Sequence, residues 1–390
     1  MSLPLENADQ LFRNTLTSGV DAAIDKALAD RRVVGTVVLI SRNGEPVYRR
    51  AAGLADRESS TAMQENTIFR LASITKPIVT IAAMRLVEQD RIGLDDPITI
   101  WLPDFRPRLP DGSEPVIRIR HLLTHTSGLN YRFAEEDENG PYNRAGVSDG
   151  IGEPGLSLAD NLRRISSAPL LFAPGEGWQY SLAMDVIGGI IEKETGGNLA
   201  AAVEELVTKP LGLVDTAFSV RDRSRLAAAY MNASPEPQRM GKEAQVPSLT
   251  GLIRFAPDRI FDPASYQSGG AGMAGPADEI LTILETIRKG GAPLLSTETV
   301  ATMTKDQAGG HVQPLMPGFG FGFGWSIATD PAAGNVPYST GTLRWGGVYG
   351  HSWFVDREKG LTVVALTNTA LEGMWGQFTV DVRDAVYAAL

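Results

Sequence analysis

The 390-residue chain contains no cysteine, which excludes disulfide bonds, thiolate nucleophiles and cysteine-ligated metal centres. No apolar run approaches the roughly 18 residues of a membrane span. The first ten residues lack a basic segment followed by an apolar core, so we expect no secretory signal. These absences predict a soluble protein of the cytoplasm that has no membrane as partner.

A basic surface is also missing. Acidic residues outnumber basic ones by 46 to 36, and the formal net charge is −10. Because the basic residues are scattered and form no stripe, nucleic acid is not expected as a partner. An uncharged or cationic small molecule fits this charge better, and the composition leaves the oligomeric state open.

Periodic apolar residues predict the elements of secondary structure. Helices are expected over residues 8–29, 78–89, 117–123, 157–165, 183–194, 199–207, 276–288 and 377–389. Strands are expected over residues 33–40, 46–52, 319–327, 340–345, 352–356 and 361–367, the first two joined by a hairpin turn at Asn43-Gly44. Residues 130–155 and 215–269 show little periodicity and are predicted to be irregular.

This order of elements indicates an α+β fold within the broad α/β class, because strands occur at both ends of the chain and helices fill the middle. We expect one antiparallel sheet, built from the N- and C-terminal segments and flanked by the terminal helices. The predicted sheet domain comprises residues 1–62 and 292–390. A mostly helical domain, residues 63–291, is inserted into it, and the active site is expected between the two.

The sequence Ser73-Ile-Thr-Lys76 opens an apolar helix, and Pro77 restricts the start of that helix to residues 73–76. Residues three apart share a helix face, so the Lys76 amine is expected to reach the Ser73 hydroxyl. Serine is unreactive without an adjacent base, and a lysine can serve as that base. The pair therefore predicts a covalent nucleophile, although such a spacing also occurs at ordinary helix starts.

Ser148 is a second candidate nucleophile, because Gly146-Val-Ser-Asp-Gly150 matches the G-x-S-x-G pattern of α/β-hydrolases. That pattern needs a buried strand before the serine and a helix directly after it. The surrounding residues 139–154 are rich in glycine, proline and asparagine, and they favour a loop serine without a catalytic role.

Two histidines, His121 and His125, have a spacing that can bind zinc, but no third ligand is evident and we expect no metal site. His351 is either the base of a catalytic triad or, as we favour, a hydrogen-bonded residue beside a turn. Tyr180 follows a turn-rich segment and starts a helix. A neighbouring ammonium group favours the ionised form of a phenol, so Tyr180 can share a proton with Lys76 and act as a base.

Five motifs occur in the order found in the serine β-lactamase and penicillin-binding-protein superfamily. They are Ser73-Ile-Thr-Lys76, His121 to Leu129, Pro174 to Ser181, Gly269 to Met273, and Trp345-Gly-Gly347. Over nearly its whole length the chain resembles, more narrowly, the family VIII bacterial carboxylesterases. The resemblance implies a serine β-lactamase-like fold and a reaction that needs no cofactor.

The resemblance also implies the roles of individual residues. Ser73 would form the acyl-enzyme, and Lys76 and Tyr180 would handle protons. The third motif of the family, usually Lys-Thr-Gly, is matched by Trp345, Gly346 and Gly347. The backbone N–H groups of Ser73 and Val348 would then form the oxyanion hole.

Two departures from the family pattern remove polar contacts to a substrate. Trp345 replaces the lysine that pairs with a substrate carboxylate, and Leu182 replaces the asparagine that binds a substrate amide. Their loss should disfavour acidic amides more than neutral esters. Four aromatic residues are candidates for the walls of an apolar pocket, although Phe133 and Trp178 fit core packing equally well: Tyr131, Phe133, Trp178 and Trp345.

The sequence thus predicts a serine carboxylesterase that acts on small, neutral, short-chain esters. Three alternatives remain. They are a β-lactamase or D-alanyl-D-alanine peptidase, an acyltransferase of the same superfamily, and a non-catalytic binding module that has kept the fold.

Overall fold

The computed structural model describes residues 5–248 and 250–390, with side chains described from residue 9 onward. The helices are α1 (Leu5–Ala29), α2 (Thr75–Glu88), α3 (Ile119–Leu123), α4 (Pro141–Arg144), α5 (Leu158–Ser167), α6 (Ala183–Thr195), α7 (Leu199–Val203), α8 (Ala277–Arg288), α9 (Thr297–Met303), α10 (Glu372–Trp375) and α11 (Gln377–Ala388). The strands are β1 (Gly35–Arg42), β2 (Glu45–Asp56), β3 (Thr61–Ala62), β4 (Ile68–Arg70), β5 (Tyr230–Met231), β6 (Gln238–Arg239), β7 (Ala244–Pro247), β8 (Leu252–Phe255), β9 (Ala274–Pro276), β10 (Phe319–Phe321), β11 (Ser326–Ala328), β12 (Leu343–Gly347), β13 (His351–Asp356) and β14 (Leu361–Thr367).

An eight-stranded antiparallel sheet runs in the order β10-β11-β12-β13-β14-β1-β2-β3. Its centre joins the two ends of the chain, because β1 pairs with β14 from Thr36 opposite Thr367 to Arg42 opposite Leu361. The predicted antiparallel sheet from N- and C-terminal segments is therefore confirmed. The turn between β1 and β2 has positive φ at both Asn43 and Gly44, as a two-residue hairpin requires.

Both faces of the central strands are buried, which explains why β1 and β14 read as continuous apolar runs. On one face, Val38 and Ile40 pack with residues of α1 and α11, such as Leu16 and Phe378. On the other face, Val37 and Leu39 belong to the large core that includes α2, α6 and α8. The terminal helices thus cover one side of the sheet, and the helical part of the chain covers the other.

The predicted terminal helices, the strand at residues 361–367 and the helices at 183–194 and 276–288 are all confirmed. The single strand predicted over residues 319–327 was wrong, because the chain reverses there and forms β10 and β11. Gly322 donates its N–H to the Trp325 carbonyl at 3.0 Å, and Gly324 has a φ of +92°. Alternating glycines look like a strand pattern but also permit this tight turn.

The two segments predicted to be irregular contain short elements. Residues 215–269 hold β5 to β8, which form two separate two-stranded sheets. Residues 130–155 hold α4 and a 3-10 turn at Arg132–Ala134. These elements are too short for sequence periodicity to reveal them.

The division into a sheet domain and an inserted domain stays a proposal. Helix α8, which that division assigns to the insertion, packs against the sheet. Its Glu285 accepts hydrogen bonds from Ser41 of β1, at 2.6 Å, and from the Thr362 hydroxyl of β14. These contacts favour a boundary before residue 277. One apolar core runs through both parts, so the two are interlocked rather than separate.

None of the described helices combines the length and the apolar character that crossing a membrane requires.

Candidate active site

Ser73 lies in a 3-10 turn, Ala72–Ile74, that leads directly into α2. The turn is buried, and the Ser73 side chain is only slightly exposed. The preceding residue, Ala72, has a φ of +46°, a left-handed conformation that non-glycine residues rarely adopt. Such backbone strain is frequent at functional sites, where the surrounding packing enforces it.

Two side chains contact the Ser73 hydroxyl. The Lys76 amine, one helical turn along and fully buried, lies 3.1 Å from the Ser73 Oγ. The Tyr180 hydroxyl, which comes from the segment before α6, lies 2.7 Å from the same atom. The Lys76 Nζ is also 4.6 Å from the centre of the Tyr180 ring. The structure thus brings together the three side chains that the sequence analysis had grouped.

The position of Tyr180 depends on His125. The Ser181 N–H donates to the His125 Nδ1 at 3.3 Å, and the imidazole packs edge-on against the Tyr180 ring with centroids 4.9 Å apart. Burial, with a smaller contribution from the Lys76 charge, lowers the pKa of His125 well below its ordinary value. His125 is therefore a neutral packing residue that holds Tyr180 in place.

The position of Lys76 depends on a buried carboxylate that the sequence analysis missed. Lys76 donates a hydrogen bond to the Gly270 carbonyl at 2.7 Å. On the other side of that residue, the Gly270 N–H donates to Asp185 of α6 at 2.8 Å. Asp185 also accepts hydrogen bonds from Ser268, at 2.7 Å, and from Tyr266, at 2.8 Å, and it is fully buried. Asp185 thereby orients the loop that binds the lysine.

The strand β12 carries the third motif and lies against the segment that leads to Ser73. A Cβ on Gly347 would come within 2.4 Å of the Leu71 carbonyl, so only glycine permits this approach. The Gly347 carbonyl accepts the N–H of Gly350 at 2.9 Å. Because a trans peptide directs its N–H opposite to its carbonyl, the Val348 N–H points away from this turn. Among the described residues, none accepts a hydrogen bond from the Val348 N–H.

Aromatic rings surround the Tyr180 side of the site. The Tyr131 ring is 5.1 Å from the Tyr180 ring and stacks on Phe133 at 4.5 Å. Trp345, which is half-buried, lies 5.2 Å from Tyr180 on the other side. Burial raises the pKa of the Tyr131 phenol well above its ordinary value, so it stays neutral. Trp178 packs behind this layer against His125 and Phe321, which favours core packing for that residue.

The structure separates Ser148 from these groups. Ser148 is buried in the loop between α4 and α5, and its backbone N–H donates to the Asn161 side chain at 2.8 Å. No strand precedes it and no helix follows it directly. The loop position expected for this serine is therefore confirmed.

His351 is a buried structural residue, as the sequence analysis favoured. Its Nε2 donates to the Arg70 carbonyl at 2.7 Å, and burial lowers its pKa to about 4. His121 accepts the backbone N–H of Arg118 at 3.2 Å. Within the part of the chain that the structure describes, no cluster of three or more His, Asp or Glu side chains is arranged to hold a metal ion.

Comparison with known proteins identifies the family of this chain. The β-lactamase family model matches residues 20–377. The chain belongs to the β-lactamase family. It is 53% identical to esterase EstB of Burkholderia gladioli over 378 residues, which are 96% of each chain. These matches confirm the resemblance and the fold class inferred from the sequence.

Solved structures show the same architecture. EstCE1, described as a hydrolase with promiscuous acyltransferase activity, superposes with a TM-score of 0.93 at 44% identity and covers 96% of this chain and 99% of its own. Unliganded simvastatin synthase LovD from Aspergillus terreus gives a TM-score of 0.73 at 24% identity, with 96% and 98% covered. The second similarity concerns the fold alone.

The Asp185 network generates a prediction about the reactivity of Ser73. We expect Asp185→Asn to slow the labelling of Ser73 by a fluorophosphonate about 10- to 100-fold. An asparagine places an NH2 group against either the Tyr266 hydroxyl or the Gly270 N–H, and such a lost hydrogen bond costs about 1–3 kcal/mol. The measurement is the second-order rate constant of labelling.

Asp160→Asn is the matched control, since Asp160 lies on the exposed side of α5 and is expected to leave the rate unchanged. Circular dichroism would check that both variants are folded. A folded Asp185→Asn variant labelled at the unmodified rate would contradict the positioning role of Asp185.

Proposed function

We propose that this protein is a serine carboxylesterase in which Ser73 forms an acyl-enzyme. One observation carries the proposal: the Ser73 Oγ lies 3.1 Å from the Lys76 amine and 2.7 Å from the Tyr180 hydroxyl. A serine hydroxyl needs an adjacent base to become a nucleophile, and both groups are within hydrogen-bonding distance. A binding module would not require two proton acceptors in contact with one buried serine hydroxyl, so this arrangement argues against a purely non-catalytic role.

In the proposed reaction, Lys76 and Tyr180 together take the proton of Ser73 while its oxygen attacks the ester carbonyl. The N–H groups of Ser73 and Val348 stabilise the oxyanion of the tetrahedral intermediate. The intermediate collapses, and the alcohol leaves with the proton that the pair had taken. A water molecule then loses a proton to the same pair as it attacks the acyl carbonyl, and the second tetrahedral intermediate collapses to the acid while Ser73 takes that proton back.

Neutral esters of short chain length are the proposed substrates. Trp345 presents a neutral indole where related enzymes have a lysine, and Leu182 is fully buried in the apolar core. Tyr131, Phe133 and Trp345 are the proposed pocket walls, and Gly346 and Gly347 are proposed to contact the substrate through the backbone of β12. The esterase EstB, 53% identical, supports the assignment, and family VIII is the proposed subclass.

An acyltransferase is a second candidate, because the structural relative EstCE1 is described as a hydrolase with promiscuous acyltransferase activity. The acyl-enzyme is common to both reactions, and only the attacking group differs. Aromatic side chains near the nucleophile favour an alcohol over water at the moment of attack.

A location in the cytoplasm is also a proposal, and it rests on the cysteine-free composition.

We expect Ser73→Ala to abolish hydrolysis of p-nitrophenyl butyrate, with kcat/KM falling at least about 10⁴-fold, since the covalent route is lost. Ser148→Ala is the matched control and should retain activity within about twofold. The measurement is the release of p-nitrophenol. Loss of activity in the control together with activity in Ser73→Ala would reverse the assignment.

We expect nitrocefin to be hydrolysed with a kcat/KM at least about 10²- to 10³-fold below that of p-nitrophenyl butyrate. A desolvated charged contact to the substrate carboxylate is commonly worth a few kcal/mol, and Trp345 cannot supply it. Both substrates are followed by absorbance under the same conditions. Equal efficiency on the two would favour a β-lactamase instead.

For acyl transfer, we expect the butyryl product to partition between water and added 1-propanol. If Ser73 serves an acyltransferase, the ester fraction exceeds the mole fraction of the alcohol about tenfold or more. A simple esterase gives a fraction near the mole fraction. Gas chromatography of the two products distinguishes these outcomes, and the acyl-enzyme is required in either case.

A further inference from the structure

The loop between α4 and α5 contains the G-x-S-x-G match, Gly146 to Gly150, which the proposed reaction leaves unused. Its backbone is held by one buried side chain of α5. The Asn161 amide accepts the Ser148 N–H at 2.8 Å and donates to the Ser148 carbonyl at 3.0 Å. The residue that follows, Asp149, is therefore fixed in the interior of the protein.

The Asp149 carboxylate is buried and binds two backbone donors. Its Oδ1 accepts the N–H of Arg132 at 2.8 Å, and its Oδ2 accepts the N–H of Phe133 at 3.1 Å. These two N–H groups begin the 3-10 turn Arg132–Ala134, where the turn itself supplies no acceptor. The side chain of Tyr131, directly before the turn, does not cap it. Asp149 therefore caps this turn from 16 to 17 positions away in the sequence.

The capped turn carries two aromatic rings beside the catalytic candidates. The rings of Tyr131 and Phe133 are stacked with their centres 4.5 Å apart. The Tyr131 ring lies 5.1 Å from the Tyr180 ring, and its centre is 5.4 Å from the Lys76 Nζ. Since Asp149 binds the backbone at residues 132 and 133, it also fixes where these two rings lie.

We propose that Asp149 is a positioning residue whose carboxylate holds Tyr131 and Phe133 as one wall of the substrate pocket and thereby influences which esters react. This inference rests on the proposed esterase function and on the role of both rings as pocket walls. It gives the G-x-S-x-G segment a part in substrate selection instead of nucleophilic attack.

The strength of this cap depends on the charge of Asp149. Burial raises the pKa of Asp149 to about 7, although the Arg132 charge and the two backbone donors oppose the rise. Above that pH the ionised carboxylate offers an acceptor to each N–H group. Below it, one oxygen carries a proton and is a weaker acceptor. The wall is therefore held more firmly in mildly alkaline than in mildly acidic solution.

Other ionisable groups surround this carboxylate. Charged or titratable side chains on the neighbouring elements are those of Tyr131 and Arg132 at the turn, Tyr142 of α4, Glu153 in the loop, Arg164 of α5, Asp185 of α6 and Arg254 of β8. The Arg132 charge favours the ionised form of Asp149, and Glu153, which pairs with Arg132, opposes it. Burial raises the pKa of the Tyr131 and Tyr142 phenols, so both stay neutral. Protonation of Asp149 thus also removes its attraction to Arg132.

The first test compares substrate preference at several pH values in the unmodified protein. One pair of substrates, p-nitrophenyl acetate and butyrate, varies the acyl group, and another, methyl and butyl butyrate, varies the alcohol. Ionisation of Lys76 or Tyr180 affects both members of a pair equally and cancels in the ratio of their kcat/KM values. We expect at least one preference for the longer chain to fall about 3- to 10-fold as the pH drops through about 7. Two ratios that do not change with pH would overturn the proposal.

Asp149→Asn replaces one acceptor oxygen by an NH2 group, which faces a backbone donor. We expect the preference of this variant to equal that of the unmodified protein at low pH and to be independent of pH. Asp137→Asn is the matched control, because Asp137 is an exposed residue of the same loop that also accepts a backbone N–H, from Asn139. It should keep the pH-dependent preference. A folded Asp149→Asn variant that keeps this dependence would refute the role of Asp149.

Hydrogen exchange followed by mass spectrometry tests the cap without any ester. In the peptide that contains Arg132 and Phe133, we expect Asp149→Asn to lower the protection factor of at least one of these amides about 10-fold or more. Unchanged protection together with ester hydrolysis would refute the cap and leave the esterase function intact. Lost protection in a protein that hydrolyses no ester would refute the esterase function and, with it, the role of Asp149 in substrate selection.

Discussion

The candidate active site depends on one hydrogen bond, between the hydroxyls of Ser73 and Tyr180 at 2.7 Å. These residues are 107 positions apart in the sequence, so the fold has to place the start of α2 next to the segment before α6. Lys76 alone cannot do this, because it belongs to the same helix as Ser73. Helices α2 and α6 pack against each other in the large apolar core, and the His125 ring packs edge-on against the Tyr180 ring. Ordinary apolar packing thus determines the distance between the Ser73 and Tyr180 hydroxyls, on which the proposed activation of the serine depends.

The pairing of β1 with β14 has a second consequence for the site. It joins the two ends of the chain at the centre of the sheet, and β13 and β12 follow outward from that pair. This order places the Gly346-Gly347 segment against Leu71, two residues before Ser73. The strained φ of Ala72 lies at the same contact. The sheet therefore supplies the rigid support for a backbone conformation that an isolated turn would not keep.

Local signals were enough to predict the long helices and the central strands of the sheet. They were also enough for the pair Ser73 and Lys76, because residues three apart share a helix face. Tyr180 was a candidate base from its phenol chemistry and from the family motif, but no local pattern shows that it reaches the serine. Asp185 left one signal, a lone carboxylate within the apolar stretch Ala183–Ile191. Its partners Ser268 and Gly270 lie more than 80 positions away, so its role could be read only from the fold. The reversal between β10 and β11 was missed because alternating glycines fit both a strand and a turn.

The departures from the family pattern have a common physical effect. A lysine at position 345 would bring a cation beside Tyr180, whereas Trp345 brings a neutral ring 5.2 Å from it. An asparagine at position 182 would add polar atoms inside the apolar core, where Leu182 is completely buried. Both changes leave the contacts of Ser73 intact and alter only what surrounds the substrate. In the proposed mechanism, activation of Ser73 and selection of the substrate are therefore separable, so the proposed chemistry is compatible with a change from charged to neutral substrates.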